Sequence, residues 1–270
     1  MSTQGPCHLY AIANQKGGVG KTTTTVNLAA SLVATKKQVL MVDLDPQGNA
    51  TMGSGINKNE LELSVYDVLV GEATAKEALV KSEEGGYSVL PANGDLTAAE
   101  VEMLSLDQKE RRLQSALESL KDDFDYILVD CPPSLNMLTL NALVACQGVI
   151  IPMQCEYYAL EGLSALISTI NQIQSALNPE LQIEGILRTM YDPRNSLTND
   201  VSAQLADFFG DKLYRTCVPR NVRLAEAPSF GQPVLVYDRQ SKGAIAYLAL
   251  AGELIRRNEI SQRESAEVTA

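Results

Sequence analysis

Histidine is almost missing: of 270 residues only His8 carries an imidazole, close to the amino terminus and inside an apolar run. A Ser-His-Asp relay or a His-rich metal centre therefore has almost no material to use. Cysteine is scarce as well. The five thiols, Cys7, Cys131, Cys146, Cys155 and Cys217, are odd in number, scattered and never spaced C-x-x-C. They suggest neither a disulfide framework nor a zinc knuckle, and buried reduced thiols are the expectation. No apolar run approaches the roughly 20 residues of a membrane span. Met1–Cys7 is polar and lacks the charged and apolar regions of a secretory leader, so a cytoplasmic protein is expected. No Pro/Gly/Ser-rich linker, repeat or low-complexity tract divides the chain. Its 45% hydrophobic and 20% charged residues fit one domain able to bury its own core.

Positive charge is also in short supply overall, with a formal net charge of −11. That sum excludes a molecule basic all over, yet the charge is unevenly spread. Between Glu184 and Gly243 eight Lys/Arg face seven Asp/Glu, a net of +1, while the remainder carries 14 against 26, a net of −12. A local basic surface in the C-terminal third is compatible with these numbers.

Near-continuous apolar runs of strand length alternate with stretches of helical period, the pattern of βαβ units and a parallel sheet buried on both faces. Strands are expected at Leu9–Ala13, Val39–Val42, Tyr87–Leu90, Tyr126–Val129, Gly148–Pro152, Ile183–Thr189 and Leu213–Val218. Helices are expected at Thr22–Ala34, Gln108–Leu120, Asn136–Ala145, Leu160–Leu177 and Ala244–Arg257, with another marked by Leu197, Val201, Leu205 and Phe208. Asp45–Gly86, rich in glycine, reads as loop and short helices over one edge. The expected fold class is α/β: a single-domain, mostly parallel, doubly wound sheet with helices on both faces. Residues 1–7 are expected to be a flexible N-terminus, 8–257 the domain and 258–270 a polar tail.

Lys16-Gly17-Gly18-Val19-Gly20-Lys21-Thr22-Thr23 directly follows the first strand and opens the first helix. Glycines let several backbone N–H groups turn toward one anion, a lysine reaches β- and γ-phosphates, a hydroxyl holds Mg²⁺, and the helix dipole favours negative charge. Compared with G-x-x-x-x-G-K-[ST], Gln15 stands where the first glycine belongs and Lys16 is an added cation. Two further strands end in carboxylates, Asp43-Leu44-Asp45-Pro46 and Asp130-Cys131-Pro132-Pro133. The carboxyl edge of a parallel sheet is where ligands bind. Asp130 suits a Walker B role in ordering the Mg²⁺ shell, and Asp43 and Asp45 offer one group for the metal's waters and one for the attacking water. Which does which stays open on the residues alone. Arg188, inside an apolar strand pattern, is expected to pair with a carboxylate at the edge of the sheet.

The segments K-G-G-V-G-K-T-T, V-D-L-D-P-Q-G-N and V-D-C-P-P-S resemble the deviant Walker A ATPases of the ParA/MinD superfamily. Thr189–Arg194 and Val218–Ser229 are similar to the chromosomal ParA (Soj) branch, and the resemblance spans roughly residues 8 to 256. It implies a P-loop ATPase fold with ATP and Mg²⁺ as cofactors, and weak intrinsic hydrolysis. It implies that Lys16 reaches the partner's ATP across a dimer interface, and that Gly17, Gly18, Val19, Gly20, Lys21, Thr22 and Thr23 cradle the phosphates. Thr22, Asp43 and Asp130 are implied for the metal and Asp45 as the catalytic carboxylate. Met190, Pro219 and Asn221 are implied at the adenine, and Arg194, Arg220 and Arg223 on DNA without reading its sequence. A second positive charge beside Lys21 would be repelled unless phosphate lay between the two, which agrees with Lys16 acting across an interface. The implied partners are non-specific double-stranded DNA, a ParB-type centromere-binding protein that stimulates hydrolysis, and a second copy of the chain on ATP binding. The implied place of action is the nucleoid, and the process is chromosome or plasmid segregation.

Membrane association of the MinD kind is not expected, because Asn258–Ala270 offers only Ile260 and Val268 as large apolar residues. Only 15 residues precede Lys16, too few for an operator-reading domain, and no cysteine lies in a glycine-rich loop as in iron–sulfur relatives. Two alternatives remain: positioning of a protein cargo by the same cycle, or a nucleotide-gated interaction module with little turnover.

Overall fold

The computed structural model describes residues 5–157 and 159–269. Eight strands, β1 (His8–Ile12), β2 (Val39–Asp43), β3 (Val80–Lys81), β4 (Ser88–Leu90), β5 (Tyr126–Asp130), β6 (Gly148–Gln154), β7 (Gln182–Tyr191) and β8 (Leu213–Pro219), form one sheet among the described residues. Its order is β3-β4-β2-β5-β1-β6-β7-β8, parallel throughout except where β3 pairs antiparallel with β4. The helices are α1 (Lys21–Ala34), α2 (Asn49–Gly53), α3 (Val65–Val70), α4 (Leu96–Glu102), α5 (Arg112–Glu118), α6 (Met137–Ala145), α7 (Ala159–Ala176), α8 (Ser196–Phe209), α9 (Val222–Glu226), α10 (Val234–Tyr237) and α11 (Lys242–Thr269).

The strands are apolar at consecutive positions because both faces are covered. Leu9, Ala11, Leu40, Val42, Ile127 and Val129 point into one core with α3 to α8, while Tyr10, Ile12, Met41, Leu128 and Ile150 point into a second with α1, α2, α9, α10 and α11. A fully buried leucine such as Leu28 or Leu40 contributes about 2 kcal/mol of apolar transfer, so both faces resist polar substitution. Parallel packing also sends seven strand ends to one edge, where the loop after β1, Asp43, Asp130, Gln154, Met190 and Pro219 converge.

The seven expected strands are all present, and Asp45–Gly86 is mainly loop with α2 and α3. Four local features differ. β3 closes the sheet edge inside that segment; two residues carry no readable period. The helix expected from Gln108 begins as a 3-10 turn at Lys109 and becomes α-helical at Arg112. Arg188 meets no carboxylate among the described residues: its guanidinium donates to Ser202 Oγ (2.7 Å) and to the carbonyls of Tyr214 (2.8 Å) and Arg215 (3.3 Å), and lies over the Tyr191 ring. Backbone carbonyls left by the irregular β7–β8 register take the place of the anion. Lastly, α11 runs to Thr269 rather than ending at Arg257. Asn258 is buried there, accepting from the Tyr10 hydroxyl (2.8 Å) and donating to that of Tyr126 (3.1 Å). The first residue assigned to the tail thus docks on the sheet. Among the described residues no helix is long and apolar enough to cross a membrane.

Candidate active site

The loop between β1 and α1 is built for an anion. Gly18 and Gly20 take left-handed φ values of 72° and 91°, and a Cβ on Gly17 or Gly18 would meet nothing within 4 Å, so the cradle is open. A side chain at either left-handed position would be strained. Gly20 is the N-cap of the 14-residue helix α1 and supplies no side-chain cap, which leaves that terminus's N–H groups available to a ligand. Lys21 is 7% exposed and its ammonium donates to the Lys16 carbonyl (3.2 Å), curling over the loop. Burial pulls its pKa below the ordinary lysine value, opposed by the carboxylate of Asp130. An incoming polyphosphate would relieve that desolvation.

Two fully buried carboxylates stand side by side on neighbouring strands, Asp43 opposite Asp130 in register. Asp130 accepts from Thr22 Oγ1 (2.7 Å) and Thr25 Oγ1 (2.9 Å). Burial and then the charge of Asp43 push its pKa up to about 8, while burial pushes Asp43 up to about 6. Both acids accept hydrogen bonds, yet two carboxyls buried side by side make this point favourable to a cation. Among the described residues no cluster of three or more His, Cys, Asp or Glu would hold a metal alone. The donor set, one hydroxyl and one carboxylate beside a phosphate cradle, suits Mg²⁺, which keeps water and takes phosphate oxygens.

The two acids after β2 have different surroundings. Asp43 Oδ1 accepts from the Asp45 N–H (3.1 Å), and Oδ2 accepts from both the N–H and the hydroxyl of Thr51 (2.8 Å each). Both of its oxygens are committed to the backbone turn and α2. Asp45 lies beyond the strand end, half-buried in the turn closed by Gly48 N–H, with Oδ1 accepting from Gln47 N–H (2.9 Å). Its Oδ2 has no hydrogen-bond partner among the described residues. The two carboxylates therefore do not share one extended face, as two-residue spacing on a strand would give.

Lys16 is placed apart from the cradle. Its Nζ meets Glu156 Oε2 at 2.5 Å, both side chains about half exposed (48% and 50%). Thr23 lies in the first turn of α1 and its carbonyl accepts from Asn27 (2.7 Å). Met190 and Pro219 stand at the ends of β7 and β8, with Tyr191 and Pro219 in register. Asn221 is beside them, but its side-chain oxygen caps α9 at Leu224 N–H (3.3 Å). Arg194 and Arg220 lie on the loops after β7 and β8, and Arg223 on the short helix α9. Arg194, 88% exposed, grips Asp192 with Nε (2.9 Å) and an Nη (2.8 Å), holding that carboxyl down to about 2. Arg223 meets Glu226 (2.8 Å) and Asp238 (3.2 Å). Arg220 is exposed, near enough to Asp192 to act on it electrostatically.

Sequence reasoning missed several site residues. Thr25, Thr51, Asn14, Gln154, Thr189 and Glu156 all bond to the motif residues. Thr25 had a local signal, one helical turn after Lys21, and Asn14 and Thr51 are also near in sequence to the residues they bond; Gln154, Glu156 and Thr189 come from the distant ends of β6 and β7.

A strand, a glycine loop with an inward lysine, a helix terminus and a hydroxyl–carboxylate pair at the carboxyl edge define a P-loop nucleoside triphosphatase. A family model described as an AAA domain matches residues 7–183. The chain is 52% identical over 246 residues to the sporulation initiation inhibitor protein Soj of Bacillus subtilis, covering 91% of this chain and 97% of that protein. It is 49% identical over 263 residues to the chromosome partitioning protein ParA of Caulobacter vibrioides, covering 97% and 98%. A crystal structure of cobyrinic acid a,c-diamide synthase from Mycobacterium smegmatis, with bound ATP analogue and magnesium, is 40% identical, covers 94% of this chain and 96% of that one, and superposes with a TM-score of 0.83. The chain belongs to the ParA/Soj family of chromosome-partitioning ATPases, within the ParA/MinD superfamily.

Proposed function

We propose that the chain is an ATP-gated DNA-partitioning switch. ATP and Mg²⁺ are its cofactors; two ATP-bound copies pair, the pair grips double-stranded DNA without reading sequence, and hydrolysis stimulated by a ParB-type partner releases it. It works in the cytoplasm, on the nucleoid. The observation that carries this reading is the separation of two lysines within one loop: Lys21 covers its own cradle while Lys16 reaches outward to the exposed Glu156. A lysine outside its own nest, held only by an exposed ion pair that phosphate can displace, is placed to serve a second subunit's phosphates.

Bound Mg²⁺ supplies charge neutralisation at the β- and γ-phosphates. The loop N–H groups and Lys21 bind and orient the triphosphate. Thr22 offers its hydroxyl to the metal, and Asp130, bonded to that hydroxyl, orders the metal's waters. Asp43 locks the turn after β2 through Thr51, leaving Asp45 Oδ2 to orient the attacking water. Met190, Pro219 and Asn221 border the base. Arg194, Arg220 and Arg223 come from both subunits, doubling the phosphate contacts a single copy of this acidic chain offers.

The amidation implied by the M. smegmatis name finds no support in the thiols. Drawing ammonia from an amide needs an activated nucleophile, and burial pushes all five cysteines up, Cys7 to about 12 and Cys155 to about 11. Light scattering with a non-hydrolysable ATP analogue tests the switch: the wild type doubles in mass, and Lys16→Ala stays monomeric while still binding the analogue. A Lys16→Ala dimer as tight as wild type would overturn it.

A further inference from the structure

The phosphate loop is fastened from outside by residues that the sheet order alone brings to it. Gln154, the last residue of β6, donates from Nε2 to the Gly18 carbonyl (2.9 Å), and Thr189 on β7 donates from Oγ1 to the Val19 carbonyl (2.7 Å). Asn14 accepts from the Lys16 N–H (2.9 Å) while donating to the Pro152 carbonyl (2.8 Å). With these carbonyls tied outward, successive loop N–H groups face the anion. Gln154 has a second role: the same Nε2 donates to the Met190 sulfur at 3.0 Å. Met190 holds a left-handed φ of 48°, uncommon for a residue with a side chain.

The buried acids fix the direction in which a nucleotide lies. Asp130, which would order the metal's waters, and Asp43, which holds the turn carrying Asp45, are on β5 and β2, to one side of β1, so the β- and γ-phosphates face that side. The nucleoside must extend the other way, over the ends of β6, β7 and β8, where Met190 stands. We propose that Gln154 is a positioning residue that ties the nucleoside end of the cleft to the phosphate loop, through one amide shared between the Met190 sulfur and the Gly18 carbonyl. This rests on the ATP reading above. A base seated on Met190 restrains that side chain, and the restraint passes through Gln154 to Gly18. A triphosphate without a base leaves Met190 free. Thr189 anchors the loop but, among the described residues, its side chain bonds to nothing on the nucleoside side, so its contribution is blind to the base.

Calorimetric titration of the full-length protein with Mg·ATP and with Mg·tripolyphosphate separates the two roles. Gln154→Leu is expected to weaken ATP about tenfold but tripolyphosphate only about threefold, since loss of the Gly18 anchor touches both ligands and loss of the base link touches one. In steady state it raises the KM for ATP about tenfold with kcat within about twofold. Thr189→Val weakens both ligands by the same factor. Met190→Leu added to Gln154→Leu produces no further loss of discrimination, because the shared amide is already gone. Equal weakening of both ligands by Gln154→Leu, or additive effects in the double variant, would overturn the proposal and leave Gln154 as a loop anchor. Melting temperatures of the ligand-free variants, expected near wild type, guard against a folding defect; should Gln154→Leu not fold, Gln154→Met, which keeps the length without charge and loses the donors, carries the same expectation. Wild type binding neither ligand would instead refute the nucleotide reading itself.

Discussion

The carboxyl edge of this sheet has two contrasting halves. On the β2–β5–β1 side, charge is buried, paired in register and bonded to neighbours: Asp43 and Asp130 are fully covered and Lys21 nearly so. On the β7–β8 side, charge is exposed and satisfied by local carboxylates, Arg194 by Asp192 and Arg223 by Glu226 and Asp238. Buried charge commits a site to one ligand chemistry, since desolvation is relieved only by the right counter-charge. Exposed ion pairs commit to little, because solvent screens them and their partners can be exchanged for phosphates. On the proposed reading, the triphosphate and its metal belong to the first half and sequence-blind DNA contact to the second.

Loss of Asp45, the proposed water-orienting group, sets the largest expected effect. Asp45→Ala should lower turnover about 10³-fold while ATP binding stays within about threefold, measured by phosphate release beside equilibrium titration. If turnover is unchanged, Asp43 is the catalytic acid and the division between the two carboxylates is wrong. Lys21→Ala should cost about 100-fold in ATP affinity, the scale of a charge-assisted contact removed from a polyanion. Near-native affinity would break the phosphate-loop assignment.

The arginine half should respond more weakly. Arg223→Glu is expected to reduce DNA affinity about tenfold at low salt, with ATP-driven dimerisation intact. Glu226→Gln, which leaves Arg223 only the Asp238 carboxylate and removes a negative charge, should tighten DNA about twofold, and a gel shift reads both. An inert Arg223→Glu would move the DNA surface elsewhere.

The buried acids also set a pH dependence. In the folded protein Asp130 and Asp43 hold their protons to about pH 8 and 6, against 3.8 for the free side chain. Their contribution to stability is therefore present below pH 4 and lost as pH rises toward 8. The ligand-free protein should lose roughly 5 °C in Tm across that range through these groups, and Asp130→Asn should flatten the loss. Saturating Mg·ATP should also flatten it. A Tm that rises between pH 5 and 8 in the ligand-free wild type, but not in Asp130→Asn, would contradict the buried-pair electrostatics.

The phosphate loop and the acids after β2 and β5 were readable because their chemistry demands fixed residue types at fixed spacing from a strand end. The supporting residues were not. Gln154 is 136 residues from Gly18 and Thr189 is 170 from Val19, and only the strand order joins them. Asp43 and Asp45 stayed undivided in the sequence because the hydroxyl that occupies Asp43 comes from α2, eight residues on. The charge pattern located a basic segment but not the pairing of Arg223, although Glu226 three residues later on a helix was a local signal. Arg188 shows the opposite error: charge in an apolar strand suggested an acid, and irregular pairing supplied carbonyls.

The central claim, that nucleotide state on the buried half controls DNA contact on the exposed half, is tested most directly by one gel-shift series. Wild-type protein is titrated into two unrelated duplexes with ADP, with ATP analogue and with no nucleotide, at low and physiological salt. The account predicts retardation only with the ATP analogue, equal on both duplexes and steeply weakened by salt. Equal retardation in all nucleotide states, or strong preference for one duplex, would contradict it.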